Sequence, residues 1–562
     1  MSWDHHFDLV VIGSGAAGMS AALRAHDLGS KVVVLEKSPA YGGSTAMSGG
    51  VVWVPNNPQM GPKGIADSRE DSLAYLRGII AGEVPDERIQ AYVDESLRVL
   101  AYLAEHSHLH LDALEHYTDY YPELPGGQRG GRSMEPIPFD ASLLGEEFER
   151  LRRPHPQSQV MGKFGITARE AHGYLAADLG GKLRLLWRLI QYGLRWPKRR
   201  RYGRDTLITA GNALIARLRR SLLDREVPIW LECGARDLVV EEGRVAGVLS
   251  DRGRIEARGG VLLAAGGFER NPAMRKEHQP LAADVEWNAG NHFNQGAGIR
   301  MGQAAGGQLA LMDEAWWTPV TKVPKSDYAW VLVVEKNLPG GIFVDQRGRR
   351  FTNEAAPYLD VVKGMHANDT DCAWLVFDAE FRRLYPVGPV APGYAQPDQR
   401  LSRRLREGFL TRAKSVRELA EKLELPVQAF EDTIARFNAN AAEGVDPDFQ
   451  RGESHADRYY GDPRVRPNPC LRPIEVGPFY AIPVFPGDLG TKGGLVTDPQ
   501  ARVLDEAGTP IQGLFAAGNC SSAVMGRSYP GAGGTIGPAL TFGFIAAETA
   551  AETAAQGTPA HA

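Results

Sequence analysis

Cysteine is scarce in this chain: Cys233, Cys372, Cys470 and Cys520 are the four in 562 residues. None falls in a Cys-x-x-Cys spacing, which argues against a zinc site or a disulfide framework and for a reducing compartment. Charge of one sign is also lacking, and a formal net charge of -5 makes no global electrostatic case for nucleic acid. There is no internal repeat, and no uninterrupted apolar run is long enough to span a bilayer. The first strand-like run begins at Phe7, leaving no room for a signal peptide, so a cytoplasmic location is expected. Size excludes little, since a chain of 562 residues can build two or three cooperating domains around a large core.

What is abundant is glycine, concentrated near the two ends. The apolar run Phe7-Asp8-Leu9-Val10-Val11-Ile12 leads into Gly13-Ser14-Gly15-Ala16-Ala17-Gly18, and an alanine-rich stretch from Met19 to Ala25 reads as a helix. Gly13 permits the turn, Gly15 lets backbone approach a pyrophosphate, and Gly18 lets the helix lie close to the strand. A second strand, Lys31 to Leu35, ends on Glu36, an acid placed to accept hydrogen bonds from an adenosine ribose and to repel a 2′-phosphate. Strand, turn, helix, strand and acid in this order predict a dinucleotide cradle and disfavour NADP.

The residues that follow favour a flavin over a nicotinamide. Gly42-Gly43-Ser44-Thr45-Ala46-Met47-Ser48-Gly49-Gly50 is polar, glycine-dense and too long for a simple turn. It suits backbone that must wrap a ring and its phosphates while leaving one ring edge open. Two more apolar runs end in small residues, Gly260 to Gly267 and Gly513 to Asn519, and fit the same cofactor.

One segment stands apart. From Gly181 to Arg204 there is no acid and nine residues are basic, Lys182, Arg184, Arg188, Arg195, Lys198, Arg199, Arg200, Arg201 and Arg204. On a helix, Arg184, Arg188, Gln191 and Arg195 form a polar stripe, the rest of the surface carries leucines, Ile190, Trp187 and Trp196, and Pro197 is expected to end the helix before the basic cluster. Its apolar partner is either a lipid surface or the chain's own domain, since periodicity does not distinguish them.

Because the cofactor elements sit at both ends, the expected fold is α/β: a Rossmann-like FAD-binding domain from 1–285 and 481–562, with an inserted α+β catalytic, substrate-capping domain at 286–480. Residues from about 105 to 205 are a helical elaboration of the first part, expected to shape a lid. Within the insertion, Phe343-Val344-Asp345 and Trp374 to Asp378 read as strands, and 415–423 and 426–441 as helices, the first capped by Ser415.

Taken together, Asp8 to Gly18, Gly42 to Pro55, Asn353-Glu354-Ala355-Ala356-Pro357-Tyr358, Gly493-Gly494-Leu495 and Ser528-Tyr529-Pro530-Gly531-Ala532-Gly533-Gly534-Thr535-Ile536-Gly537-Pro538 resemble the flavoproteins related to fumarate reductase. Within them the likeness is to the 3-ketosteroid 1-dehydrogenases, over nearly the whole chain. The resemblance implies an oxidoreductase acting on a CH-CH bond, which desaturates C1–C2 of a 3-ketosteroid with FAD as hydride acceptor. It implies that the Tyr529 hydroxyl and the Gly533 amide hold the C3 oxygen, that Tyr358 removes the C2 proton, and that Tyr120 hydrogen-bonds Tyr358. The cofactor set it implies is Gly13, Ser14, Gly15, Ala16, Ala17, Gly18, Glu36, Lys37, Gly43, Ser44, Thr45, Ser48, Gly49, Gly50, Ala235, Ala265, Gly266, Gly518, Asn519, Thr535 and Ile536. The chemistry agrees, since a carbon beside a carbonyl loses a proton only where donors stabilise the enolate. Glycine at 533 is expected because a side chain would intrude on a flat substrate. A tyrosine base needs its pKa lowered from about 10, and a partner hydroxyl and a buried pocket are expected to supply this.

Dicarboxylate reductases need cations for two carboxylates; here the approach Gly487 to Lys492 lacks histidine, and Arg527 is the remaining carboxylate ligand. Three alternatives stay open: a 4,5-dehydrogenase of 5α-steroids, a fumarate reductase-like enzyme, and a structural flavin with membrane docking through 181–204. An external electron acceptor is also expected, a quinone being the one suited to a membrane surface.

Overall fold

The computed structural model describes residues 2–160, 162–175, 179–282 and 284–557. Its principal sheet has eight strands. His5–Ile12 lies at the centre, parallel to Val32–Leu35 on one side and to Gly253–Leu263 on the other, and the latter is parallel in turn to Pro510–Ala516. Strict alternation explains why these runs are apolar throughout. Leu9, Val11, Val32, Val34 and Leu262 enter the core on one face, while Val10, Ile12, Val33, Leu35 and Leu263 enter the core on the other. The glycine turn delivers the chain from the first strand to the helix Ala16–Asp27, which packs against the C-terminal helix Ile536–Gly557. Ser20 Oγ donates to the Leu540 carbonyl at 2.9 Å, and Arg24 pairs with Glu548 at 2.7 Å, so the two ends of the chain close one domain.

The second sheet has six strands, among them Ala315–Thr321, Gly341–Val344, Ala373–Phe377 and Phe479–Thr491. It too is covered on both faces: Phe343, Leu375 and Phe377 join one core, Ile342, Val344 and Val376 the other. The boundary expected at 480 falls inside the strand Phe479–Thr491, which pairs with Ala373–Phe377 through its first half and with Ala315–Thr321 through its second. The strand is bonded on this sheet along its length, from Phe479 to Thr491. The helix Val416–Lys422 is capped as expected, with Ser415 Oγ accepting from the Glu418 amide at 3.1 Å.

The basic segment differs from expectation in two respects. The first helix spans Leu179–Leu194, and Pro197 lies in the first turn of a second helix, Trp196–Tyr202, where its missing N–H costs nothing. Residues 198–201 are therefore helical. The polar stripe also faces inward at Arg188, which is buried and pairs with Glu170 at 3.0 Å on the helix Ala168–Leu175. Outward point Leu183, Leu186, Trp187, Leu194 and Trp196, each more than half exposed. Among the described residues, none covers these five side chains.

Candidate active site

A cavity of ≈ 710 Å³ is lined by the glycine turn at one end and by Tyr120, Tyr358, Tyr529 and Gly533 at the other. Every residue expected to bind the cofactor lines it except Gly18. Gly18 has a packing role, because an added Cβ would overlap the Gly13 carbonyl. Gly15 is the reverse case. The nearest atom to a Cβ there would be Thr45 Oγ1 at 3.6 Å, so glycine at that position keeps space for a ligand rather than for the chain.

Glu36 is buried at the end of its strand, where Oε2 accepts from Ser14 Oγ at 2.6 Å and from the Ser14 amide at 3.3 Å, and Oε1 accepts from the Ser38 amide at 3.0 Å. A carboxylate accepts about four hydrogen bonds, so Glu36 pins the loop and keeps capacity for about one ribose hydroxyl rather than both. Gly15, as N-cap of the helix Ala16–Asp27, brings no capping side chain, which leaves the helix N-terminus facing the cavity as a pyrophosphate requires. Thr45 Oγ1 accepts from the Ala16 amide at 3.3 Å, and the remaining donors of the helix N-terminus fit a flavin dinucleotide.

At the other end, three loops bring the tyrosines together. The Tyr120 amide donates to the Pro530 carbonyl at 3.0 Å, which Tyr75 Oη also reaches at 2.6 Å, so residues 119–120 run antiparallel to 530–531. Asp119 locks this pairing, accepting from Trp53 Nε1 at 2.8 Å and from Arg132 Nη1 at 2.8 Å; burial pushes its carboxyl up to about 6 against the pull of Arg132. Tyr358 opens the helix Tyr358–Ala367. The bend before it is held by Glu354, whose carboxylate pairs with Arg350 at 2.8 Å and Arg451 at 3.0 Å. The rings then meet edge to face: Tyr120–Tyr358 at 5.5 Å, Tyr120–Tyr529 at 5.1 Å and Trp316–Tyr529 at 4.8 Å.

Three expectations are revised. Burial does not lower the tyrosines; it pushes Tyr120 and Tyr358 well above the ordinary phenol value and raises Tyr529 as well, because a phenolate is poorly solvated there. Any lowering must come from specific neighbours. Gly533 is required by the chain rather than by a substrate: at φ +97°, a Cβ would lie 2.5 Å from the Trp53 amide nitrogen and 2.6 Å from the Val52 carbonyl carbon. Among the described residues no acceptor takes the Gly533 N–H. Arg527 is not a carboxylate ligand in waiting, since its guanidinium is bound by Asp313 at 2.7 Å, Glu314 at 2.9 Å and Glu83 at 3.2 Å.

Two tyrosines outside the expected set, Tyr117 and Tyr460, join the cluster. Tyr460 Oη donates to Tyr117 Oη at 3.0 Å, and both line the cavity beside Tyr120 and Tyr358. Tyr117 lies three residues before Tyr120 in the stretch Tyr117 to Tyr121, whereas Tyr460 is some hundreds of residues away and has no local signal. Lys492, expected only as part of an approach, is buried with its ammonium over Trp316 at 4.5 Å, donating to the carbonyls of Gly526 at 3.1 Å and of Ser528. It thereby holds the loop that ends in Tyr529.

A family model described as an FAD binding domain matches residues 8–536. The chain is 43% identical to a 3-oxosteroid 1-dehydrogenase of Mycolicibacterium smegmatis, over 98% of both chains. It is also 34% identical to a 4-oxocyclohexanecarboxylate 2-dehydrogenase of Sinomonas cyclohexanicum, over 98% of this chain and 93% of that one. The solved 3-ketosteroid delta1-dehydrogenase of Sterolibacterium denitrificans, in complex with 1,4-androstadiene-3,17-dione, superposes with a TM-score of 0.95 at 43% identity, covering 98% of this chain and all of the other. With a cradle that fits FAD at one end of the cavity and the tyrosine cluster at the other, the chain belongs to the 3-oxosteroid 1-dehydrogenase family of FAD-binding flavoproteins.

Proposed function

We propose that this enzyme desaturates the C1–C2 bond of 3-ketosteroids. The observation that carries the reading is the convergence of Tyr529, the Gly533 amide and Tyr358 on one buried cavity continuous with the dinucleotide cradle. Tyr529 Oη and the Gly533 N–H hold the C3 oxygen and stabilise the charge that develops on it as the C2 proton leaves. Tyr358 takes that proton, and Tyr117 and Tyr120 orient its hydroxyl. FAD, when bound, supplies the acceptor for the hydride that leaves C1.

A neutral substrate is favoured over a carboxylate. Among the described residues lining the cavity Lys37 is the one lysine or arginine, and it adjoins Glu36 at the cradle. His155 also lines the cavity, but burial lowers it to about 4, so it is neutral at physiological pH. The test is conversion of androst-4-ene-3,17-dione with an artificial electron acceptor. A 1,4-diene product is expected; no 1,4-diene, with activity only on 5α-steroids and a new C4–C5 double bond, would assign the related 4,5-chemistry instead.

The enzyme further docks on an anionic lipid surface through Leu179–Leu194 and Trp196–Tyr202. Support comes from the exposed leucines and Trp187 of the first helix, next to the exposed Trp196 and the exposed cations Lys198, Arg200 and Arg201 of the second. The neighbouring helix, to which Arg188 is paired, lines the cavity with Ala168 and Ala171. A lipid-soluble quinone is the electron acceptor suited to that position.

A further inference from the structure

A buried lysine lies behind the tyrosine assigned as the base. Lys336 is 2% exposed, and its Nζ donates to the carbonyls of Glu354 at 3.1 Å and Ala356 at 2.6 Å. Both carbonyls belong to the bend that delivers Tyr358 to the first position of its helix, with Pro357 as N-cap. The same Nζ sits 5.3 Å from the centroid of the Tyr358 ring. Among the described residues no carboxylate lies within ion-pair distance of it; Arg350 and Arg451 hold Glu354, whose backbone alone reaches the lysine. A buried cation without a counter-anion is costly.

We propose that Lys336 is the positioning residue of the Tyr358 base: it tethers the bend that aims the phenol, and its ammonium is the charge that favours the phenolate. This rests on the assignment of Tyr358 as base. Burial raises the Tyr358 phenol, and the hydroxyls around it, Tyr117 and Tyr120, are themselves buried, whereas a cation 5.3 Å from the ring centroid acts in the opposite direction, towards the phenolate. Burial also draws Lys336 down to about 7. A phenolate nearby would restore its charge, so lysine and tyrosine support each other's ionised forms. Asp457, Asp360, Arg451 and Cys470 face the lysine, and Tyr117, Tyr120 and Tyr460 face the tyrosine.

The test uses the full-length, FAD-loaded enzyme and compares Lys336→Gln, which keeps amide donors for the two carbonyls without charge, with Lys336→Arg, which keeps the charge, and with Tyr358→Phe. Turnover of a C2-deuterated 3-ketosteroid is followed across pH, together with KM and FAD content. For Lys336→Gln a kcat loss of about tenfold to a hundredfold is expected. A larger isotope effect from C2 and an acid limb moved to higher pH should accompany it, with KM and bound FAD close to wild type. Lys336→Arg should recover most of the rate. A Lys336→Gln enzyme with wild-type rate and profile, or one that simply loses FAD, or an Arg variant no better than the Gln one, would overturn the proposal. Activity retained by Tyr358→Phe would instead remove the base assignment itself.

Discussion

Gly533 and Tyr529 show how little freedom a single position has at this site. Gly533 combines a left-handed φ of +97° with backbone of Val51 to Trp53 where a Cβ would go. Gly533→Ala should therefore cost about 2–4 kcal/mol of stability, read as a lower thermal midpoint, and should depress activity along with it. Tyr529→Phe keeps the ring that packs on Trp316 and Tyr120 and removes only the hydroxyl. Here kcat/KM should fall about a hundredfold to a thousandfold, with FAD content and thermal midpoint near wild type; a loss of only a few fold would leave the Gly533 amide as the principal donor.

Among elements, the loop ending in Tyr529 and the segment around His155 are held across the two sheets. Lys492, at the end of the strand Phe479–Thr491, is spent on carbonyls of the loop, and Lys492→Met leaves them without a donor. A tenfold rise in KM with a smaller change in kcat is the expected signature, measured by steady-state kinetics, because the loop presents the group that binds the ketone in the ground state as well. His155 Nε2 meets the Ala329 carbonyl at 3.0 Å and Nδ1 accepts from the Gln157 amide at 3.1 Å, which identifies the Nε2–H tautomer. Beside it, Gln157 Oε1 accepts from the Val331 amide at 2.9 Å, so the segment around His155 is fastened to residues 329–331. With the folded His155 depressed to about 4, the unfolded chain binds the proton first as pH falls from 6.5. Stability present above pH 6.5 is lost as pH drops towards 4, by about 3 kcal/mol. Thermal midpoints measured across that window should fall less steeply for His155→Gln than for wild type.

For the molecule as a whole, the two sheets form the cavity between cradle and tyrosines, and one helix presents its apolar side outward. Among the described residues no helix is long and apolar enough to cross a membrane. Contact with lipid would then rest on the exposed face. Replacing Trp187 and Trp196 by serine should move the enzyme from the pellet to the supernatant when it is sedimented with vesicles containing anionic lipid, with steroid turnover in detergent unchanged. An unaltered pellet fraction would exclude this face as the docking surface.

Local order was legible in the residues themselves. The cradle follows from Gly13, Gly15, Gly18 and Glu36 because a turn, a close approach and a strand-terminal acid are each demanded within a few residues of chain. The cap at Ser415 and the alternating cores of both sheets follow from the same short-range rules. The family resemblance, carried by Tyr358 and the Tyr529 to Gly533 element, implied which segments meet. Only the tertiary structure decided how. Tyr460 joins Tyr117, Lys336 comes to lie against Tyr358, and Lys492 reaches the loop before Tyr529 through contacts that close over tens to hundreds of residues, where no periodicity or spacing records them. The orientation of the basic helix belongs to the same class. An amphipathic pattern names two faces, but which one turns inward was settled by Glu170, an acid on a different helix that takes Arg188 into the interior.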